Sequence, residues 1–111
     1  MARISTHVLD TSRGRPAAGI GVELYQGPLL LATTTTNSDG RTDWPLLERE
    51  RIDSGLYTLI FQVGEYLRKT DASCVPFFDV IRIQFSIGAG DQNYHVPLLL
   101  SPYAYSTYRG S

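Results

Sequence analysis

The chain has 111 residues, and its 10 basic and 11 acidic side chains give a formal net charge of −1. This length predicts a single domain, residues 1–111, with one hydrophobic core, and the near-neutral charge argues against nucleic-acid or anionic-membrane partners. No apolar run approaches the ~20 residues that cross a bilayer. No basic-then-apolar leader precedes the first motif, so we expect a cytoplasmic protein. The single cysteine, Cys74, cannot form an internal disulfide, which is consistent with a reducing compartment.

Short segments with strand-like composition alternate with turns along the whole chain. Period-two alternation over residues 4–9 places Ser5, His7 and Leu9 on one face of the first strand. Later strands are predicted at 22–25, 29–36, 41–46, 56–63, 78–87, 94–100 and 103–108, with one or two helical turns at 63–70. About eight strands at this spacing predict an all-β protein built as an antiparallel β-sandwich.

The last eighteen residues predict a closing hairpin. Ser101 and Pro102 separate two runs rich in Leu, Val and Tyr, which is typical of a turn between strands. If these two residues form the tip of the hairpin, counting outward places His95 opposite Tyr108. Opposed residues point to the same face of a sheet, so the hairpin predicts a site with an imidazole and a phenol at the end of the chain.

Two histidines, His7 and His95, are the main candidates for chemistry, and each lies on a predicted strand. Spacing alone favours a structural or surface role for either one. Two distant histidines and one cysteine lack the ligand spacing of a metal site, so we expect no metal. Asp10 and Ser12 would complete a Ser-His-Asp trio with His7, but no nucleophile-elbow motif supports it.

Three motifs resemble the signatures of a known family. These are STHVLDTSRGRPA near the start, TNSDGRTDWPL in the middle and YHVPLLLSPYAYSTYRGS at the end. They are similar to the signatures of the 5-hydroxyisourate hydrolases, the enzymatic branch of the transthyretin-like proteins. The resemblance covers essentially the whole chain and implies two four-stranded sheets, one short helix and a homotetramer, a dimer of dimers with active sites at the dimer–dimer interface.

The resemblance also implies roles for individual residues. His7 and His95 match the catalytic histidines of the family, and Arg41 matches its substrate-contacting arginine. The final tetrapeptide, Tyr108, Arg109, Gly110 and Ser111, matches the segment that completes the pocket. Without the family, Arg41 would be interpreted as a solvated turn residue beside Asp39 and Gly40. We expect Ser111 to act in catalysis and the other three residues of the tetrapeptide to bind substrate.

The reaction that the resemblance implies is the hydrolytic opening of the cyclic amide of 5-hydroxyisourate in urate catabolism, which gives 2-oxo-4-hydroxy-4-carboxy-5-ureidoimidazoline. A neutral imidazole suits activation of water near neutral pH, and we favour His95 as the base with His7 assisting and no cofactor. The sequence leaves open which histidine takes the proton, and whether Ser111 acts directly or only positions substrate or water.

Two other functions share the predicted fold. A transthyretin-type carrier of small ligands would have the same sandwich and tetramer without any chemistry, so fold alone does not discriminate it from an enzyme. The presence of His7, Arg41, His95 and the terminal tetrapeptide favours the enzyme. A β-sandwich adhesion module is the third alternative, and the ending of this chain disfavours it because such modules usually continue into another domain.

Overall fold

The computed structural model describes residues 1–73, 75–90 and 92–110, which form two β-sheets and one short helix. The strands are β1 (Ala2–Asp10), β2 (Arg15–Pro16), β3 (Gly21–Gln26), β4 (Leu29–Thr35), β5 (Leu47–Arg49), β6 (Gly55–Gln62), β7 (Val80–Ile87), β8 (Tyr94–Leu100) and β9 (Tyr105–Thr107). The helix α1 (Gly64–Thr70) lies between β6 and β7. Among the described residues, no helix is long and apolar enough to cross a membrane.

The predicted two-sheet, all-β architecture is confirmed. It differs from the prediction in two details, since one sheet has five strands instead of four and contains one parallel pair. One sheet has four antiparallel strands in the order β4-β3-β6-β7. The other has five strands in the order β2-β1-β8-β9, with the short β5 also paired to β1. In this second sheet β1 and β8 run parallel, and the chain crosses to the other sheet and back between them.

Alternation along each strand sends one set of side chains into the core between the sheets. In β1 the side chains of Ile4, Thr6 and Val8 are buried, whereas Ser5 and His7 are half-buried on the opposite face. Tyr94, Val96, Leu98 and Leu100 of β8 are buried in the same core. A period of two therefore leaves the odd-numbered residues of β1 and β8 on the outer face of the five-stranded sheet.

The predicted two-residue turn of the closing hairpin is wrong. Leu100 pairs with Tyr105, and the loop between them is closed by the Ser101 amide, which donates to the Ala104 carbonyl at 2.9 Å. The favoured two-residue turns need a positive φ in the loop, which proline cannot adopt, and no residue other than glycine has a positive φ among the described residues. The register shifts by two residues, so His95 lies opposite Gly110 instead of Tyr108.

The predicted strand at 41–46 is also wrong. Arg41 forms one isolated bridge with His7, and the strand begins only at Leu47. Pro45 lacks the backbone N–H that a sheet ladder requires. The Arg41 bridge lies on β1 between the positions where β5 and β2 pair, and it brings this loop to the outer face of the sheet.

A carboxylate at the end of β1 ties the first turn of the chain to the helix. Asp10 is buried, and its Oδ1 accepts bonds from the amides of Ser12 and Arg13, both at 3.1 Å, and from the Ser12 hydroxyl at 2.8 Å. Its Oδ2 accepts a bond from the Tyr66 hydroxyl of α1 at 2.6 Å. Burial alone would raise the pKa of Asp10, but these bonds outweigh burial and hold the pKa below 3.8.

Asp10→Asn is expected to lower the free energy of unfolding by about 1–3 kcal/mol at pH 7, because the amide cannot accept the same set of donors. A carboxyl whose pKa is lowered in the folded state stabilises the protein above its unfolded pKa of about 3.9, and this contribution is lost as pH falls through the folded pKa. Urea unfolding of both proteins at equal concentration, at pH 7 and at pH 3, measures the difference. An equal difference at both pH values would contradict this account.

Candidate active site

A cavity of about 490 Å³ lies on the outer face of the five-stranded sheet. It brings together five of the predicted site residues, which are His7, Arg41, His95, Tyr108 and Gly110. The remaining lining residues are Arg3, Ser5, Leu9, Asn93 and Pro97. Residues from β1, the loop after β4, β8 and the C-terminal segment therefore converge on one pocket.

His7 is held by the turn that precedes Arg41. Its Nε2 lies 2.8 Å from the carbonyl oxygen of Asp39. A carbonyl only accepts hydrogen bonds, so Nε2 carries the proton and donates it. In the tautomer with the proton on Nε2, Nδ1 is the ring nitrogen with a lone pair, and none of the described residues is hydrogen-bonded to that atom. In this tautomer His7 presents a hydrogen-bond acceptor at the cavity.

The turn at Asn37 to Gly40 fixes the position of Arg41. The side-chain oxygen of Asn37 accepts bonds from the amides of Asp39 at 2.9 Å and Arg41 at 3.3 Å. The Gly40 carbonyl accepts a bond from the Val8 amide at 2.8 Å, and Gly40 has a φ of +76°. A Cβ at Gly40 would collide with the Val8 carbonyl, so only glycine allows the turn to lie this close to β1.

His95 is a base whose pKa is lowered by its surroundings. Its Nδ1 lies 2.9 Å from the hydroxyl of Ser5, the residue directly beside it in the parallel pair of β1 and β8. Burial of the imidazole, reinforced by the positive charge of Arg41 and by His7, lowers the pKa of His95 below 6.5. The ring is therefore neutral at neutral pH, which is the form that accepts a proton.

Gly110 makes room for the His95 ring. Its amide donates to the His95 carbonyl at 2.7 Å, and this bridge brings the two backbones together. A Cβ built on Gly110 would lie 2.6 Å from Cδ2 of the imidazole. The ring thus rests on the backbone of the C-terminal segment, and any larger residue at this position would displace it.

The C-terminal tetrapeptide is divided between two places. Gly110 lines the cavity of the histidines, Arg109 lines a second cavity of about 350 Å³ between β7 and the C-terminal segment, and Tyr108 lines both. The Arg109 guanidinium lies 4.3 Å from the centre of the Tyr94 ring and donates to Gln92 and Asn93. Ser111 lies outside the described residues, so its predicted role stays a prediction, as does substrate binding by Arg109.

Three polar residues of the cavity, Arg3, Ser5 and Asn93, were missed as site residues in the sequence. Arg3 and Ser5 share a strand face with His7 by simple alternation, so a signal existed for both. Arg3 forms an ion pair with Glu48 at the edge of the pocket. The Asp10 carboxylate is committed to Ser12, Arg13 and Tyr66, which leaves the alternative Ser-His-Asp trio without its carboxylate partner.

Comparison with known proteins matches this chain to the members of one family. The model of the HIUase/Transthyretin family matches residues 4–110. The 5-hydroxyisourate hydrolase of Pseudomonas aeruginosa is 48% identical to this chain over an alignment that covers 100% of this chain and 93% of the relative. The 5-hydroxyisourate hydrolase of Deinococcus radiodurans is also 48% identical, with 97% of this chain and 95% of the relative covered.

Solved structures show the same fold. The structure of Klebsiella pneumoniae 5-hydroxyisourate hydrolase superposes with a TM-score of 0.86 at 35% identity, covering 100% of both chains. Sea bream transthyretin in complex with thyroxine superposes with a TM-score of 0.82 at 25% identity, covering 97% of this chain and 94% of that chain. The similarity thus extends both to hydrolases and to a transthyretin, with higher identity to the hydrolases.

Proposed function

Because the chain belongs to the HIUase/Transthyretin family, we propose that it is a 5-hydroxyisourate hydrolase, which opens the cyclic amide of that substrate with water. One observation carries the proposal. Two imidazoles and a guanidinium, His7, His95 and Arg41, come from three separate segments and line one cavity, where the pKa of His95 is lowered. The proposal treats residues 1–111 as a single hydrolase domain and requires no cofactor.

The alternative is a transthyretin-type carrier with no chemistry. It shares the sandwich, and sea bream transthyretin superposes well on this chain. Among the solved structures, the Klebsiella pneumoniae hydrolase is 35% identical to this chain and sea bream transthyretin 25%, and the hydrolase of Pseudomonas aeruginosa is 48% identical. A carrier also has no need of a neutral base beside a cation, so the polar composition of the cavity favours the enzyme.

In the proposed mechanism His95 acts as the general base. A water oxygen attacks the carbonyl carbon of the cyclic amide while His95 takes the water proton, and the carbonyl oxygen becomes an oxyanion. When the carbon–nitrogen bond breaks, the same proton passes to the departing nitrogen, which leaves a carboxylic acid and a ring-opened product. A lowered pKa serves the first step because the imidazole is already unprotonated at neutral pH.

Arg41 is proposed to orient the substrate and stabilise the oxyanion. Its guanidinium offers a planar fork of donors that suits oxygen acceptors. The Asn37 turn holds the Arg41 backbone against β1, so the side chain starts from a fixed point in the cavity wall. His7 assists from β1, where its Nε2 donates to the same turn and its Nδ1 can accept a hydrogen bond from the substrate or the water.

The terminal tetrapeptide is proposed to complete the pocket. Tyr108 and Gly110 support this by their position in the cavity wall. Arg109 is proposed to bind substrate by leaving its position over Tyr94, or otherwise to brace the segment there. Ser111 follows Gly110 directly in the chain, and we propose that it acts in catalysis, on substrate or on water.

We also propose a homotetramer in which dimers form through edge strands and active sites lie at the dimer–dimer interface. The strands β7 and β9 are both at sheet edges, and Tyr105 of β9 and Tyr103 in the loop before it are exposed. Unpaired edge strands with exposed aromatic residues favour pairing with a second copy. Light scattering that shows a fully active monomer would refute this assembly. The cytoplasm is the proposed compartment.

The function is tested by mixing the protein with freshly generated 5-hydroxyisourate and following its ultraviolet absorbance. A hydrolase should accelerate the decay in proportion to enzyme concentration, whereas a carrier should bind the compound and leave the spontaneous rate unchanged or slower. Acceleration that persists after heat denaturation would indicate a contaminant and would contradict the proposal.

A further inference from the structure

Ser5 lies beside the proposed base in a position that the register of the sheet enforces. It pairs with His95 in the parallel ladder of β1 and β8, and the adjacent pair is fixed by a bond of 2.6 Å from the Thr6 hydroxyl to the Val96 carbonyl. The Ser5 hydroxyl and Nδ1 of His95 are 2.9 Å apart. Ser5 is thereby held against one edge of the imidazole by backbone pairing.

The opposite edge of the ring is held as well. Cδ2 of His95 rests on Gly110, so the ring lies between the serine hydroxyl and the glycine backbone. These contacts leave Nε2 as the polar atom at the far end of the ring. None of the described residues is hydrogen-bonded to it, and the cavity lined by His95 is the space it can reach.

The surroundings determine which nitrogen carries the proton. Arg41 and Arg3 line the same cavity, and a guanidinium has donors and no acceptor. The positive charge of Arg41, which adds to burial in lowering the pKa of His95, favours a lone pair over an N–H at the nitrogen that reaches the cavity. Serine can either donate or accept, so its hydroxyl is free to accept a proton-bearing Nδ1.

We propose that Ser5 is a positioning residue, whose hydroxyl accepts a hydrogen bond from Nδ1–H of His95 and so keeps Nε2 unprotonated and directed into the cavity. This inference rests on the proposed function, because it assigns the atom that takes the proton from water. The second hydrogen bond of an imidazole commonly decides which of its nitrogens is available for chemistry.

The proton position can be measured without any substrate. The chain has only two histidines, so protein labelled with ¹⁵N-histidine gives two rings, and a His7→Gln variant assigns them. At a pH above 6.5, long-range proton–nitrogen spectra should show Nδ1 of His95 protonated and Nε2 unprotonated. In Ser5→Ala, the two nitrogens should move toward a mixture of both tautomers. A protonated Nε2 in the unmodified protein would overturn the proposal.

Kinetics provide the second test. Ser5→Ala is expected to lower kcat by about 10- to 100-fold with little change in KM, since the substrate still meets Arg41 and His7. Ser5→Thr keeps the hydroxyl and should recover most of the activity. Ser106→Ala, an exposed serine paired with Leu99 on the neighbouring strand, is the matched control and should retain full kcat. Unchanged kcat in Ser5→Ala would overturn the proposal.

These two tests separate the positioning role from the proposed function. If the unmodified protein fails to hydrolyse 5-hydroxyisourate, the function is wrong, and the labelled spectra still decide the tautomer. If it is active and the spectra place the proton on Nε2, the function stands and the role of Ser5 is wrong.

Discussion

Replacing His95 with alanine is expected to lower kcat by a factor on the order of 10² or more, which is the usual effect of removing a positioned acid–base group. The imidazole is half-buried on the outer face of the sheet and contributes little to the core between the sheets. His95→Ala should therefore keep its fold and its assembly, as circular dichroism and light scattering can verify. Near-normal turnover would show that His95 is not the base.

The same substitution at His7 needs a more careful control, because His7 also supports the turn that carries Arg41. His7→Ala removes both the imidazole and the donor to the Asp39 carbonyl. His7→Gln keeps an N–H donor of similar reach, so the turn can stay in place. A loss of about 10² in both variants assigns His7 a chemical role, whereas full recovery in His7→Gln restricts it to holding the turn.

The pH dependence of kcat/KM follows from the lowered pKa of His95. Its base form is required, so activity should be lost as pH falls through that pKa and retained through the region above 6.5. Removal of Arg41 takes away one of the causes of the lowered pKa. The acid limb of an Arg41→Gln variant should consequently move to higher pH, although its maximal rate is lower.

The sequence predicted much of the site because strand alternation depends only on neighbouring residues. Period two in 4–9 placed Ser5 and His7 on one face, and the structure has them there. Helical spacing at 63–70 predicted the helix, which is Gly64–Thr70. The family resemblance added Arg41 to the predicted site residues. Arg41 approaches His7 through a turn that lies more than thirty residues after His7 in the chain.

The pairing of strands that are distant in the chain could not be predicted from the sequence in the same way. No local pattern indicates that β1 and β8 are parallel neighbours, and this pairing creates the contact between Ser5 and His95. The predicted register of the closing hairpin was wrong because Pro102 disfavours the shortest hairpin turn. The loop runs from Ser101 to Ala104 instead. The error was two residues, an even number, so the predicted faces survived while the partner of His95 changed from Tyr108 to Gly110.

This change of partner identifies the glycine as the sensitive position of the C-terminal segment. Gly110→Ala is expected to lower kcat by a factor on the order of 10², because the added Cβ would lie 2.6 Å from Cδ2 of His95 and must push the ring out of place. The displaced ring would lose its bond to Ser5 and the direction of Nε2. Since the segment is at a sheet edge, unfolding free energy should change little.

Gly88→Ala is the matched control, since a Cβ there meets no atom within 4 Å and the residue has no positive φ. It should retain full activity. A variant truncated after Tyr108 removes Gly110 together with Arg109 and Ser111, so the Gly110 amide no longer bonds to the His95 carbonyl. The truncated protein should be at least as impaired as Gly110→Ala. Turnover should be measured at a concentration where the unmodified enzyme is fully assembled. Normal turnover in either variant would show that the C-terminal segment is not part of the active site.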